Sequence, residues 1–79
     1  EQRLLLSELD DQITDVLRRI PEEFRAPIVL VDVSDFSYEE TAAILSCPIG
    51  TVRSRLSRGR KLMRKFLTPY IVGEQEKLK

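Results

Sequence analysis

The 79-residue sequence contains no histidine, one cysteine and three glycines. Without histidine, and with only one thiolate, the usual zinc sites cannot be assembled, and a single cysteine cannot close an internal disulfide. Cys47 therefore reads as a small packed residue in a turn rather than a reactive thiol. No apolar run is long enough to span a bilayer, and no basic, apolar, small-residue leader opens the chain, so a cytoplasmic protein that does not enter membranes is expected. No glycine-rich phosphate loop or histidine-based acid–base site is present, which argues against an enzyme and calls for no metal or cofactor. The chain begins on Glu1 rather than methionine, and it reads as a piece of a longer protein.

A formal net charge of zero conceals a sharp division. Residues 1–45 carry four basic side chains against eleven acidic ones, and residues 46–79 carry nine against two, leaving the halves at −7 and +7. From Cys47 to Leu67 there are seven arginines and lysines and no carboxylate. Like charges so concentrated repel one another unless a polyanion neutralises them.

Apolar residues recur at spacings of three and four, which predicts an all-α domain of four helices. The first covers about Leu4 to Arg19, with Leu6, Leu9, Ile13, Val16, Leu17 and Ile20 on one stripe and Glu8, Asp11, Asp15 and Arg18 outside it. Pro21-Glu22-Glu23 suits the first turn of a second helix, where proline loses no hydrogen bond and carboxylates face the positive end of the dipole. Pro27 lies inside that helix, so a kink or a shift to wider turns near Glu23 is expected. A strand over Ile28 to Val33 competes with this, but the chain offers no second strand to pair with it. Ser37-Tyr38-Glu39-Glu40 has the form of a capping box and starts a third, short helix that must stop before Pro48. After a turn of about three residues, a fourth helix runs from near Ile49 to about Leu67 and ends before Pro69. The tail from Tyr70 then frays or packs weakly.

A short helix, a three-residue turn and a longer helix make a helix-turn-helix, in which small residues, here Ala42 and Ala43, let the second helix cross close to the first. On the fourth helix Ile49, Val52, Leu56, Gly59, Met63 and Phe66 gather on one side. Thr51, Ser54, Ser57, Arg58 and Lys61 face out, flanked by Arg53, Arg55 and Arg60. Short hydroxyls near the helix start with long cations around them suit the DNA major groove. The amides of Ile49, Gly50 and Thr51, unpaired at the helix start, can hold a phosphate, and Ser37 and Tyr38 are placed to touch the DNA backbone. The stripe Leu17, Ile20, Phe24, Ile28 and Val31 is first a core whose outer members could receive a partner's helix. An activator's DNA-binding output domain, which would dimerise on paired half-sites, and a helical adaptor that binds only proteins remain as alternatives.

The stretch from Ile20 to Met63 resembles region 4 of bacterial RNA polymerase sigma factors of the extracytoplasmic-function group. The residues carrying the resemblance are Pro21-Glu22 with Phe24-Arg25, then Phe36 to Glu40, then Pro48 to Leu56 followed by Arg58 and Arg60. The resemblance implies a winged-helix-like architecture without a wing, in a domain of residues 1–68 followed by a tail of residues 69–79. It implies that the fourth helix enters the major groove of the −35 promoter element while polymerase supplies the catalysis. Base-reading positions of the family fall on Arg53, Ser54, Ser57 and Arg58, and backbone-gripping positions on Tyr38, Gly50, Thr51, Arg60 and Lys61. The family also docks the flap-tip helix of the polymerase β subunit on the groove of the first two helices, here Leu17, Ile20, Phe24, Ile28 and Val31. Anti-sigma proteins commonly mask these surfaces, and the domain is expected to act as a monomer. Two departures stand out: Ser46 replaces the glycine common in such turns, and the family's region 2 is absent from these residues.

Overall fold

The computed structural model describes residues 2–78 in backbone and residues 11–69 in their side chains. Its helices are α1 (Gln2–Arg19), α2 (Glu22–Ile28), α3 (Tyr38–Leu45) and α4 (Ile49–Leu78), with a widened π-helical turn over Val29–Val33 between α2 and α3. No strand occurs among the described residues, so the all-helical expectation holds and the competing strand at Ile28 to Val33 does not form.

α1 stops at Arg19 because Pro21 follows, and the Pro21 carbonyl then accepts from the amides of Phe24 and Arg25 to start α2. The wider turns lie at Val29–Val33 rather than near Glu23, where Pro27 was expected to produce them. Pro27 leaves the Glu23 carbonyl without its amide partner, but α2 continues past it to Ile28. Only afterwards does the ladder lengthen to the bond from the Ser34 amide to the Val29 carbonyl at 2.9 Å. Asp35, at φ 61°, then turns the chain back; aspartate is among the few residues that enter the left-handed region readily.

The capping box of α3 forms in full: the Glu40 amide donates to Ser37 Oγ and the Ser37 amide to Glu40 Oε1, each at 3.0 Å. At the far end Ser46 is left-handed, at φ 53° and ψ 48°. The Ser46 amide donates to the Ala43 carbonyl and the Cys47 amide to that of Ala42, the paired bonds of a Schellman closure. A serine in this conformation carries a steric cost that glycine escapes, on the order of 1–2 kcal/mol.

The core is formed by Val16, Ile20, Ile28 and Leu56, with Val52 also buried. Phe24, Leu62, Met63 and Phe66 are among the partly buried residues packed around it. α2 crosses α4 closely at Gly59, where an added Cβ would lie 2.7 Å from both the Ile28 Cδ1 and the Phe24 carbonyl oxygen. That glycine is required by proximity, since its φ is an ordinary helical one. Across α1 and α4, the Arg19 guanidinium lies 4.3 Å from the centre of the Phe66 ring.

Four expectations need correction. Ile13, placed on the inner stripe of α1, is 37% exposed, at the edge of a stripe whose inward residues are Val16 and Ile20; Leu6, Leu9 and Glu8 lie outside the residues with described side chains. Ala43 is exposed and Ala42 half-buried, while the fully buried residue of α3 is Thr41, two positions before Ala43. Ile20, in the bend between α1 and α2, and Ile28, at the end of α2, are core residues at 1% and 3% exposure and offer nothing to a partner's helix. Finally, α4 does not end before Pro69 but continues to Leu78, with Pro69 inside it. Proline removes a single backbone bond, and the Thr68 hydroxyl donates to the Arg64 carbonyl in the turn before it. The side chains of the tail from Tyr70 onward lie outside the described residues.

Candidate nucleic-acid interface

Along α4 the inward residues Val52, Leu56 and Gly59 are buried, while Arg53, Ser54, Ser57, Arg58, Arg60, Lys61, Arg64 and Lys65 are exposed. The two sets separate because successive side chains advance by about 100° around a helix. α3 packs across the first half of α4 and fixes the direction in which that cationic face points.

At the start of α4 the Pro48 carbonyl accepts from the amides of Thr51 and Val52. The Thr51 amide, expected to be free for a phosphate, is therefore engaged, and the reachable orphan donors of the first turn are those of Ile49 and Gly50. An added Cβ at Gly50 would meet nothing within 4 Å. The fold does not require a glycine there, and its bareness lets an external group approach the backbone. Ser54 Oγ donates to the Thr51 carbonyl at 3.1 Å. Its proton so occupied, the oxygen can accept, which matches the exocyclic amines of cytosine or adenine in the major groove.

The cations divide between two flanks. Arg58 lies on the α2 side, its guanidinium 5.7 Å from the centre of the Phe24 ring. On the other flank Tyr38, Arg53, Leu56, Ser57, Arg60 and Arg64 line an open notch of about 450 Å³ between the start of α3 and α4. Four of the residues singled out from the sequence, Tyr38, Arg53, Ser57 and Arg60, thus meet in one place. Arg64 joins them there without having been singled out. Lys61 is exposed on the outward face.

Arg60 is not a free cation. Its Nε donates to Asp32 Oδ2 at 3.1 Å and its Nη2 to Asp32 Oδ1 at 2.7 Å. The Asp32 hydrogen bond, aided by the charge of that carboxylate and by Tyr38, raises the Arg60 pKa above its ordinary value and holds the group charged. Glu40 shifts the other way: the Ser37 amide first, and then its hydroxyl, hold the carboxyl below its usual range. The sequence pattern carried no signal for the Asp32–Arg60 pair, because the widened turn breaks the periodicity from which the facing of Asp32 would be read.

The second helix of this helix-turn-helix bears a cationic face with no carboxylate from Arg53 to Lys65. The family model described as sigma-70, region 4, matches residues 10–63. The chain belongs to that family.

Similar proteins place this region 4 domain in the extracytoplasmic-function group. It is 38% identical over 69 residues to the ECF RNA polymerase sigma-E factor of Haemophilus influenzae, covering 87% of this chain and 36% of that protein. It is 44% identical over 64 residues to the ECF RNA polymerase sigma factor SigE of Mycolicibacterium smegmatis, covering 81% and 25%. Among solved structures, the sigma factor RpoE of Bartonella quintana, crystallised with the anti-sigma factor NepR, is similar at a TM-score of 0.70 and 38% identity. That match covers 72% of this chain and 36% of the other. The chain thus spans between a quarter and two fifths of the length of these relatives. Among the described residues no helix is long and apolar enough to cross a membrane, and no group of acidic or cysteine side chains is placed to hold a metal ion.

Proposed function

We propose that this region 4 domain recognises the −35 element of a promoter by laying α4 in the major groove, and that it contributes to transcription initiation as part of a sigma factor bound to RNA polymerase core. The observation that carries this reading is the exposed face of α4, whose six exposed cations between Arg53 and Lys65, with the half-buried Arg55 among them, are interrupted by no carboxylate. Arg53, Ser54, Ser57 and Arg58 would read bases. Tyr38, Arg60, Lys61 and the amide at Gly50 would grip phosphates, with Thr51 close beside them. The domain performs no chemistry of its own, binds as a monomer to one asymmetric site, and works in the cytoplasm on the nucleoid.

The partly buried Leu17, Phe24 and Val31 pack at the edge of the core and keep some surface to offer. They would receive the flap tip of the polymerase β subunit, with Ile20 and Ile28 supporting them from beneath. A sigma relative crystallised with an anti-sigma factor supports masking of this domain by a protein of that kind.

The test is selection from a random duplex pool by the 79-residue chain, followed by sequencing, at two salt concentrations. Enrichment of one short asymmetric motif, with affinity falling steeply as salt rises, is the expected result. Salt-sensitive binding with no motif would instead leave a basic surface that reads no sequence, and a palindromic motif would favour a dimeric activator.

A further inference from the structure

The widened turn between α2 and α3 has its consequence on α4. It carries Asp32, whose carboxylate takes the Arg60 guanidinium side-on through Nε and Nη2, at 3.1 and 2.7 Å. A guanidinium has five N–H donors in a fixed planar fork. This grip uses two of them and leaves three, including both on Nη1, available along the edge that Asp32 does not cover. The same Arg60 borders the notch with Tyr38, Arg53, Ser57 and Arg64. Three arginines, a phenol and a hydroxyl around one opening, with no carboxylate among its lining residues, suit an anion rich in oxygen. A helix lying in the major groove has phosphates along its flanks, and the notch is on such a flank.

We propose that this notch seats one backbone phosphate of duplex DNA, that Arg64 is among its contacts, and that Asp32 is a positioning residue that holds the Arg60 fork toward it. The proposal rests on the reading of α4 as a groove-binding helix. It assigns a purpose to the irregular turn: the widening presents Asp32 to a residue 28 positions later in the chain.

The sign of one substitution separates positioning from plain electrostatics. Neutralising an acidic residue beside DNA ordinarily strengthens binding. Asp32→Asn should instead weaken it about fivefold, on the selected duplex and on an unrelated one alike, because the Arg60 fork is no longer held. Arg60→Lys, which keeps the charge but cannot make the two-pronged grip, should weaken binding to a similar degree with the salt dependence unchanged. Arg64→Gln should weaken both duplexes equally and flatten the slope of log affinity against log salt by about one. Arg64 is exposed on α4, so its variant tests the notch whatever Asp32→Asn does to the fold. Binding is measured by fluorescence anisotropy across a salt series, with a thermal melt of each variant. Equal or tighter binding by a folded Asp32→Asn chain, or unchanged binding by Arg60→Lys, overturns the positioning role; an unchanged slope for Arg64→Gln overturns the phosphate seat. If the folded wild-type chain binds no duplex, the groove reading falls and this proposal with it. If the wild type enriches a motif while all three variants match it, only this proposal falls.

Discussion

Two glycines on α4 stand in opposite surroundings. At Gly59 a Cβ would collide with the Ile28 side chain and the Phe24 carbonyl oxygen, both at 2.7 Å. At Gly50 a Cβ would meet nothing within 4 Å. Glycine is unfavourable in a helix at both positions, by about 0.5–1 kcal/mol relative to alanine. At Gly59 close packing against α2 offsets that cost, whereas at Gly50 nothing among the described residues does. The inner face is committed to the fold, and the outer face at Gly50 is open.

The comparison breaks most readily at its inner side. Gly59→Ala should destabilise by about 1–3 kcal/mol, because one of the clashing atoms is backbone and cannot step aside. A thermal melt at or above that of the wild type would show that α2 and α4 can separate without loss. Thr41 is fully buried and its Oγ1 has no hydrogen-bond partner among the described residues. Thr41→Val keeps the shape and removes the orphan, so chemical denaturation should show a gain of about 1 kcal/mol. Between the two faces, Ser46→Gly should relieve the left-handed serine and gain about 0.5–1 kcal/mol while leaving the turn in place.

On the outer side, Gly50→Ala should raise the melting temperature slightly, by no more than about 1 kcal/mol of stability, while weakening duplex binding. The opposed signs are the point, and unchanged binding would return Gly50 to an unconstrained surface position. The smallest effect is expected at Glu40, which is fully exposed. Its folded pKa is lowered by the Ser37 amide and then the Ser37 hydroxyl, so its carboxylate contributes stability above the unfolded pKa and loses it as pH falls through the folded value. Glu40→Gln should therefore be less stable than wild type at neutral pH, with the difference closing in acid.

Much of the fold was legible where chemistry is local. The Ser37–Glu40 capping box, the three-residue turn of Ser46, Cys47 and Pro48, and the inner stripe Val52, Leu56, Gly59 each follow from neighbours a few positions apart. Features set by longer reach were not. Whether Pro69 ends a helix depends on how the rest of the chain compensates for one lost bond, and α4 continues through it. The wider turns lie at Val29–Val33, beyond Pro27, and not near Glu23, and no local residue pattern marks that position. That shift defeats periodicity at Asp32, so its pairing with Arg60 had no trace in spacing. The candidate site was legible in its residue types, since Tyr38, Arg53, Ser57 and Arg60 do meet, but the division of cations into two flanks and the arrival of Arg64 required the crossing of α3 over α4.

The central claim is that the outer face of α4 reads bases, and repeating the duplex selection with Arg53→Ala and Arg58→Ala, one at a time, tests it most directly. Both residues are exposed, so the melts should match the wild type. Each variant should relax the motif at its own position, at a cost of about 1–3 kcal/mol on the wild-type site. An unaltered motif in both variants, with equal loss of affinity on every sequence, would contradict the claim and leave α4 a basic surface that holds DNA without reading it.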